Sequence, residues 1–503
     1  MLLRTLRLFS ALALVTGFFV PTPLLAAGDS GQRDPRIEKI LSQISEQRLT
    51  EILQKLCSFG TRNTLSSTDS PTKGIGAARE WIFDEMKKSS SRLQVSFDSY
   101  QVPKGGRITR DIELRNVMAV LPGKSARRVY VSGHYDSFAA VRSVNAGAQR
   151  PAGGGAAAGA AGTAAGATGG AGAAQAGGAA RPTGAGQTGT AQAANAGQPG
   201  VGQGASAGAP PADAPPVDNL APGVNDDGSG TALVMELARV FAESGIEFDA
   251  TLVFIALAGE EQGLIGANRH AEKAVADKLV IDAVLNNDMV GNVQAGDGLQ
   301  DSVHVRAFSE GPEDSPSRQL ARYISRAAAR YVPTQQVMLV ARYDRFGRGG
   351  DHTAFNQKGF TAVRLTEALE SFERQHTTAD TFEGMNIPYF LRNVRLNAAT
   401  MASLALAPPA PVVASERGQP TLGRQPSGYD ANLKWKASAG ALSYKVYWRE
   451  AWTPDWQHEL NVGNVTEFVL PSLSIDNYVF GVAAVGADGN ESLVSVYVNP
   501  PRR

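Results

Sequence analysis

Five short runs constrain what this chain can fold into. Residues 128–132, 251–256, 280–285, 336–340 and 361–365 are nearly continuously apolar and rich in Val, Ile, Leu and Ala. An alternating pattern marks a strand with one wet face, whereas an unbroken run marks a strand covered on both. Residues 231–241, 264–274, 317–328 and 388–406 instead place apolar side chains at helical spacing. Buried strands alternating with amphipathic helices predict an α/β fold, a mostly parallel mixed sheet with helices on both faces. Residues 93–100 and 111–120 alternate and read as further strands, and 77–86 as a helix with Trp81 and Ile82 on its apolar side. Upstream, Ile37, Ile40, Leu41 and Ile44, and then Leu49, Ile52, Leu53 and Leu56, recur three and four apart. They predict a helical stretch in which Cys57 is a buried small hydrophobe rather than a reactive thiol.

At 503 residues the chain exceeds a typical single domain. Arg4 and Arg7, an apolar stretch from Leu8 to Val20 and the small residues up to Ala27 follow the order of a secretory signal. Residues 1–27 are therefore expected to be a signal peptide, and the protein to be exported to a periplasm or the exterior. Pro21 and Pro23 argue against an uncleaved anchor, and no other stretch is long and apolar enough to span a bilayer, so no stable membrane insertion is expected after cleavage. Residues 145–216 are almost entirely Gly, Ala, Gln, Thr and Pro. They hold too few large apolar groups to offset their ordering entropy, and read as a disordered insertion within a domain spanning 34–406. A G-x-S-x-G match at 204–208 falls inside that insertion, without the strand and helix a nucleophile elbow requires, and is a chance match. A proline-rich linker at 407–412 precedes residues 413–503, whose short strands at 431–435, 444–448, 468–470 and 478–485 predict a small all-β sandwich.

Basic and acidic residues balance at 48 each. That balance gives no support for nucleic-acid binding, which usually needs a basic face, and no polybasic segment for anionic lipid is present. With one cysteine, no intramolecular disulfide is possible, so an exported chain must rely on its core or on metal.

Acidic and histidine residues follow the apolar runs with unusual regularity. His134-Tyr135-Asp136 follows the first, and Asp136 could orient the ring of a metal-bound His134. Pro222-Gly223-Val224-Asn225-Asp226-Asp227-Gly228-Ser229-Gly230 precedes a helix, Gly259-Glu260-Glu261 follows the second run, and Asn287-Asp288-Met289 the third. His376 lies in a loop before the last long helix. Taken singly, each has an ordinary account: a polar turn, a helix cap, a pair of surface charges. Together, at the carboxyl ends of strands in an open parallel sheet, they describe a metal site. In such a site one glutamate of an adjacent pair can bind metal while its neighbour takes a proton from water.

The order H-x-D, P-G-x-N-D-D-G-S-G, G-E-E-x-G-L-x-G, N-D-M and H-T-x-x-D-T resembles the zinc exopeptidases of the bacterial leucyl aminopeptidase type, family twenty-eight of the metallopeptidases. The likeness runs from about Ile37 to Leu406 and includes 57–62 and 74–81. It implies an α/β/α sandwich and two zinc ions. Asp226 would bridge them, His134 and Asp288 would complete one, and Glu261 and His376 the other. Glu260 would be the general base for a hydroxide generated at the metals, with a cis peptide between Asp226 and Asp227. The expected activity is removal of N-terminal residues from peptide or protein substrates. The family often places an oxyanion-stabilising tyrosine just before an Asp-His pair. Here Phe346-Gly347-Arg348-Gly349-Gly350 precedes Asp351-His352, leaving Tyr343 or Arg348 as candidates. His352 fits a substrate pocket or plain packing equally. His270 reads as solvated on its helix, His304 as part of a short strand and His458 as part of the terminal segment. That segment resembles a fibronectin type III domain, with Trp435, Tyr444 and Tyr478 at core positions, and suggests a spacer or a surface- or polymer-binding module.

Three alternatives stand beside the aminopeptidase. A carboxypeptidase uses the same fold. Glutaminyl cyclases share it too, generally with one zinc. A binding protein on a dead scaffold would have lost a ligand or the base, whereas all six residues are present here.

Overall fold

The computed structural model describes residues 33–140 and 217–498. The predicted signal peptide, the insertion at 145–216 and the G-x-S-x-G match lie outside the described residues.

The N-terminal helical stretch is two helices, α1 (Pro35–Ser42) and α2 (Glu46–Ser58). Ser45 divides it: its side chain accepts the Arg48 N–H and caps α2. Cys57 is half-buried against the core rather than fully enclosed. Next come α3 (Gly74–Ser89), β1 (Gln94–Val102), β2 (Ile112–Leu121) and β3 (Arg127–His134). After the undescribed segment follow α4 (Gly228–Glu243), β4 (Thr251–Leu257), α5 (Ile265–Ala276), β5 (Val280–Asn287), β6 (His304–Ser309), α6 (Pro316–Tyr331), β7 (Gln336–Val340), α7 (Asp351–Gln357), β8 (Ala362–Glu367) and α8 (Ile387–Leu406).

The strands form one eight-stranded mixed sheet in the order β1-β2-β4-β3-β5-β8-β6-β7. The central strands β4, β3, β5 and β8 are mutually parallel, while β1, β2 and the β8–β6 pairing are antiparallel. The period of two explains the unbroken apolar runs. On β4, Leu252, Phe254 and Ala256 enter a core shared with α4 and α8, while Val253, Ile255 and Leu257 enter a second core with α5 and α7 on the opposite face. Each fully buried Phe, Leu or Ile contributes about 1.5–3 kcal/mol, so neither face tolerates a polar substitution cheaply.

The C-terminal strands form two antiparallel sheets. One is β9 (Leu422–Gly423), β10 (Ala431–Lys434) and β13 (Glu467–Leu470); the other is β11 (Ser443–Glu450), β12 (His458–Gly463), β14 (Tyr478–Val485) and β15 (Ser495–Val496). Leu433 and Leu470 of the first share a core with Val446, Phe480 and Val482 of the second. Trp435 and Tyr444 are buried there with ring centroids 5.4 Å apart, whereas Tyr478 is only partly buried at its margin. His458 stacks on Trp448 at 4.9 Å. These sheets meet α6 and the turn before it: buried Arg449 reaches Asp314 in that turn at 2.8 Å, and Tyr323 of α6 donates to the Glu491 carbonyl at 3.0 Å. The proline-rich segment is pinned at its start, where the Ala407 carbonyl accepts from Arg127 Nη1 at 3.0 Å.

Candidate metal centre

Because β4, β3 and β5 run parallel in register, their carboxyl ends open on one edge. His134 ends β3 opposite Leu257 of β4, and Asp288 follows Asn287 directly after β5. Glu260 and Glu261 lie in the turn between β4 and α5. Asp226 comes from the turn before α4, and the start of α4 approaches β3 and β5 closely through two glycines. A β-carbon on Gly133 would lie 2.5 Å from the Gly230 carbonyl carbon, and one on Gly230 would lie 2.4 Å from the Asn287 carbonyl oxygen. Only glycine permits that contact between strand and helix start. The Asp226–Asp227 peptide is cis, as the resemblance implied.

Two groups of side chains result, and Asp226 belongs to both. His134, Asp226 and Asp288 form one; Asp226, Glu261 and His376 form the other, and in each the ligand atoms lie within 4.8 Å of one another. His134 Nε2 is 3.4 Å from Asp226 Oδ1 and 3.8 Å from Asp288 Oδ1. His376 Nε2 is 3.2 Å from Asp226 Oδ2 and 3.1 Å from Glu261 Oε2. All but His376 are buried.

These residues fit zinc on observations internal to the site. His134 Nε2 and Glu261 Oε1 are buried with no hydrogen-bond partner, which is costly unless something else engages them. The electrostatics ask for positive charge. Burial opposes protonation of His376, yet Glu261 and Asp226 outweigh it and raise its pKa to about 11. His134 is likewise raised, against burial, chiefly by Glu260 and its neighbouring aspartates. Burial would raise Asp226, but the two histidines hold it well below the usual carboxylate range. Glu260 is pushed well above its ordinary value by burial and then, against His134, by Asp288, Glu261 and Asp351. Imidazole and carboxylate are zinc donors, and the cation lets the histidines be neutral.

The supporting residues differ in part from the sequence reading. Asp136 meets the His134 ring through its backbone carbonyl, 3.1 Å from Nδ1, while its carboxylate stands 3.6 Å off. That carboxylate instead accepts the N–H groups of Glu260 and Glu261, both at 3.2 Å, and the Thr64 hydroxyl at 3.1 Å. It shapes the glutamate turn. Asp227 accepts from the N–H groups of His134 (3.0 Å), Gly230 (2.8 Å) and Met289 (3.2 Å), tying three elements together. Two contributors escaped sequence reasoning. Asp380 accepts the N–H groups of Asn225 at 3.0 Å and Asp226 at 2.9 Å; its place in the H-T-x-x-D-T motif was the available signal. Arg364, fully buried on β8, reaches Asp288 at 3.0 Å and Asp344 at 3.2 Å; an arginine inside an apolar run was the signal there.

Other expectations are corrected. His270 is not solvated: it is buried, with Nδ1 2.7 Å from Asp98 Oδ2 on β1. The α5 face carrying it is covered by an antiparallel strand. His352 is buried and donates from Nε2 to the Tyr343 carbonyl at 2.6 Å, a packing role. Tyr343 thus contributes its carbonyl, and its side chain is about half exposed. Arg348 lies beside Glu370.

The family profile of Peptidase family M28 matches residues 210–401. A protein of Leptosphaeria maculans described as a probable zinc metalloprotease is 33% identical over 91% of this chain and 96% of its own length. One of Pyricularia oryzae, described in the same words, is 32% identical over 91% of this chain and 84% of its own. Among solved structures, the LapA aminopeptidase of Legionella pneumophila is 16% identical, with a TM-score of 0.48 covering 75% of this chain and 76% of that one. With that much shared sequence across nearly the whole of its relatives, the chain belongs to peptidase family M28 and is a zinc metallopeptidase.

Proposed function

We propose that this chain is a two-zinc exopeptidase that removes N-terminal residues from peptides outside the cytoplasm. The observation that carries the reading is the pair of donor groups sharing Asp226, with Glu260 beside them. His134, Asp226 and Asp288 would hold one ion, and Asp226, Glu261 and His376 the other. Bound there, the ions polarise a scissile carbonyl and acidify water.

The chain's own groups do the rest. Glu260 sits next to Glu261 in a turn fixed by Asp136, so its carboxylate is held beside the reacting centre while its neighbour is committed to ligation. From there Glu260 would take a proton from water and return it to the leaving amine. Asp380 fixes the backbone at Asp226, and Arg364 anchors Asp288, so the donors need no rearrangement. The C-terminal sheets are proposed as a fibronectin type III-like module that binds a surface or polymer.

The test is release from aminoacyl chromogenic substrates and N-blocked peptides, before and after chelation, by the wild type and Glu260→Gln. Chelator-sensitive release from free amino termini, restored by zinc and reduced about 10²–10⁴-fold in the variant, supports the reading. Hydrolysis confined to N-blocked peptides would instead indicate a carboxypeptidase, and cyclisation of N-terminal glutamine a cyclase.

A further inference from the structure

Beside the metal centre lies a cluster of arginines of which the catalytic geometry accounts only for Arg364. Arg306 Nη2 is 2.6 Å from Glu370 Oε1, and Arg345 Nη1 is 2.9 Å from Glu370 Oε2, so both oxygens are taken. Arg348 Nη1 approaches the same Oε2 only at 3.4 Å. Arg345 also meets Asp344 at 3.1 Å, and Arg364 bridges Asp344 and Asp288. Four guanidiniums therefore face Glu370 and Asp344, while Asp288 is shared with the metal centre. Burial holds His352 neutral, with a pKa near 4, and pushes Glu367 above the usual carboxylate range, while Glu260 and Asp351 face Arg364 from the metal side.

The cluster is reachable at one residue, whose only carboxylate contact among the described residues is the long one to Glu370. The side chains of Arg364, Arg345 and Arg306 are 0%, 11% and 19% exposed, whereas that of Arg348 is 34% exposed. Its loop stands against the catalytic turn: a β-carbon on Gly349 would lie 3.7 Å from Leu264 Cδ1, just beyond Glu260 and Glu261. Burial and the repulsion of Arg345 depress the Arg348 pKa, a strain that an incoming anion would relieve. The planar guanidinium suits a carboxylate, which it can grip with two parallel hydrogen bonds.

We infer that Arg348 binds a substrate carboxylate flanking the scissile bond, either an acidic side chain on the first residue or the free C-terminus of a dipeptide. This rests on the exopeptidase reading above. Arg348 is a specificity-determining residue in that role.

Two matched pairs test it: glutamyl against glutaminyl p-nitroanilide, and Leu-Leu against Leu-Leu amide. Values of kcat/KM are measured for the wild type, Arg348→Met and Arg348→Lys, with zinc content and thermal unfolding verifying each fold. The wild type is expected to favour the charged member of at least one pair, and the pair affected identifies the source of the carboxylate. That preference should fall about 10- to 100-fold in Arg348→Met, the loss expected for a hydrogen-bonded charge, with Arg348→Lys between. A wild-type ratio near one in both pairs, or the same ratio in Arg348→Met, overturns the inference. Should Arg348→Met not fold, the wild-type ratios and Arg348→Lys decide. Turnover of neutral substrates without charge preference removes this inference alone, whereas no turnover of any peptide removes the exopeptidase reading with it.

Discussion

Asp380 touches no proposed zinc site directly, yet Asp380→Asn should weaken both. Its carboxylate accepts two backbone N–H groups, from Asn225 at 3.0 Å and Asp226 at 2.9 Å, in a pocket where Asp380 is 3% exposed. An asparagine keeps the shape but offers one acceptor oxygen, so one buried N–H must face an amide N–H₂. A lost hydrogen bond to a charged group costs about 1.5–3 kcal/mol. If the loss falls on the Asp226 N–H, the carboxylate shared by both donor groups is no longer fixed. Zinc affinity should drop about 10- to 100-fold, the usual effect of losing a residue that orients a ligand. Zinc titration against a competing chelator measures this, with kcat at saturating zinc as the second readout. Asp430→Asn is the control. Asp430 also accepts two backbone N–H groups, from Ser427 and Ser472, both at 2.8 Å, but in the C-terminal sheets. Its substitution should leave zinc affinity and kcat unchanged. Wild-type zinc affinity and kcat in Asp380→Asn would refute the claim that this carboxylate positions Asp226.

Asp136→Asn should lower kcat about 10-fold or more even at saturating zinc, because one of the Glu260 and Glu261 N–H groups loses its acceptor; steady-state kinetics in excess zinc measures it. Arg364→Met strands Asp288 and Asp344 without their buried cation and should cost about 3–5 kcal/mol in denaturant unfolding, with partial recovery in Arg364→Met/Asp344→Asn. His352 gives a pH signature. Burial holds its folded pKa near 4, below the ordinary 6.5, so between those values the unfolded chain binds the extra proton. The stability tied to it is complete above pH 6.5 and is lost as pH falls towards 4, by at most about 3 kcal/mol. Unfolding of chelated wild type and His352→Gln across that range should show the steeper acid loss only in the wild type.

The sheet was legible wherever burial on both faces left an unbroken apolar run. β4 shows why: its alternate residues serve two separate cores, so neither face could carry a polar set. The acidic residues at the strand ends were legible for the same reason, since Asp288 after β5 or Glu260 after β4 interrupts a pattern that has no other place for charge. The break between α1 and α2 was less plain, because Ser45 marks it only through a cap whose partner is three residues on.

What escaped was set by partners remote in sequence. Asp380 serves backbone donors about 150 residues away, and Asp136 serves donors 124 and 125 residues away, so their motifs mark the residues but not the groups they hold. The polar His270 looked solvated because α5 alone gives it an outward face, yet Asp98, 172 residues earlier, comes back on β1 and buries it. Arg364 makes the same point from the opposite direction. Within an apolar strand it is an anomaly, and its reason appears only when β8 pairs beside β5 and sets the guanidinium against Asp288. The candidate donors could be read because metal chemistry restricts their residue types and the strands restrict their places. The residues that aim them carry no such restriction, since any carboxylate can accept an N–H and any loop can supply one. Substitutions at Asp136, Asp380 and Arg364 therefore probe the folded arrangement itself, where substitutions at His134 or Glu261 would probe the motif alone.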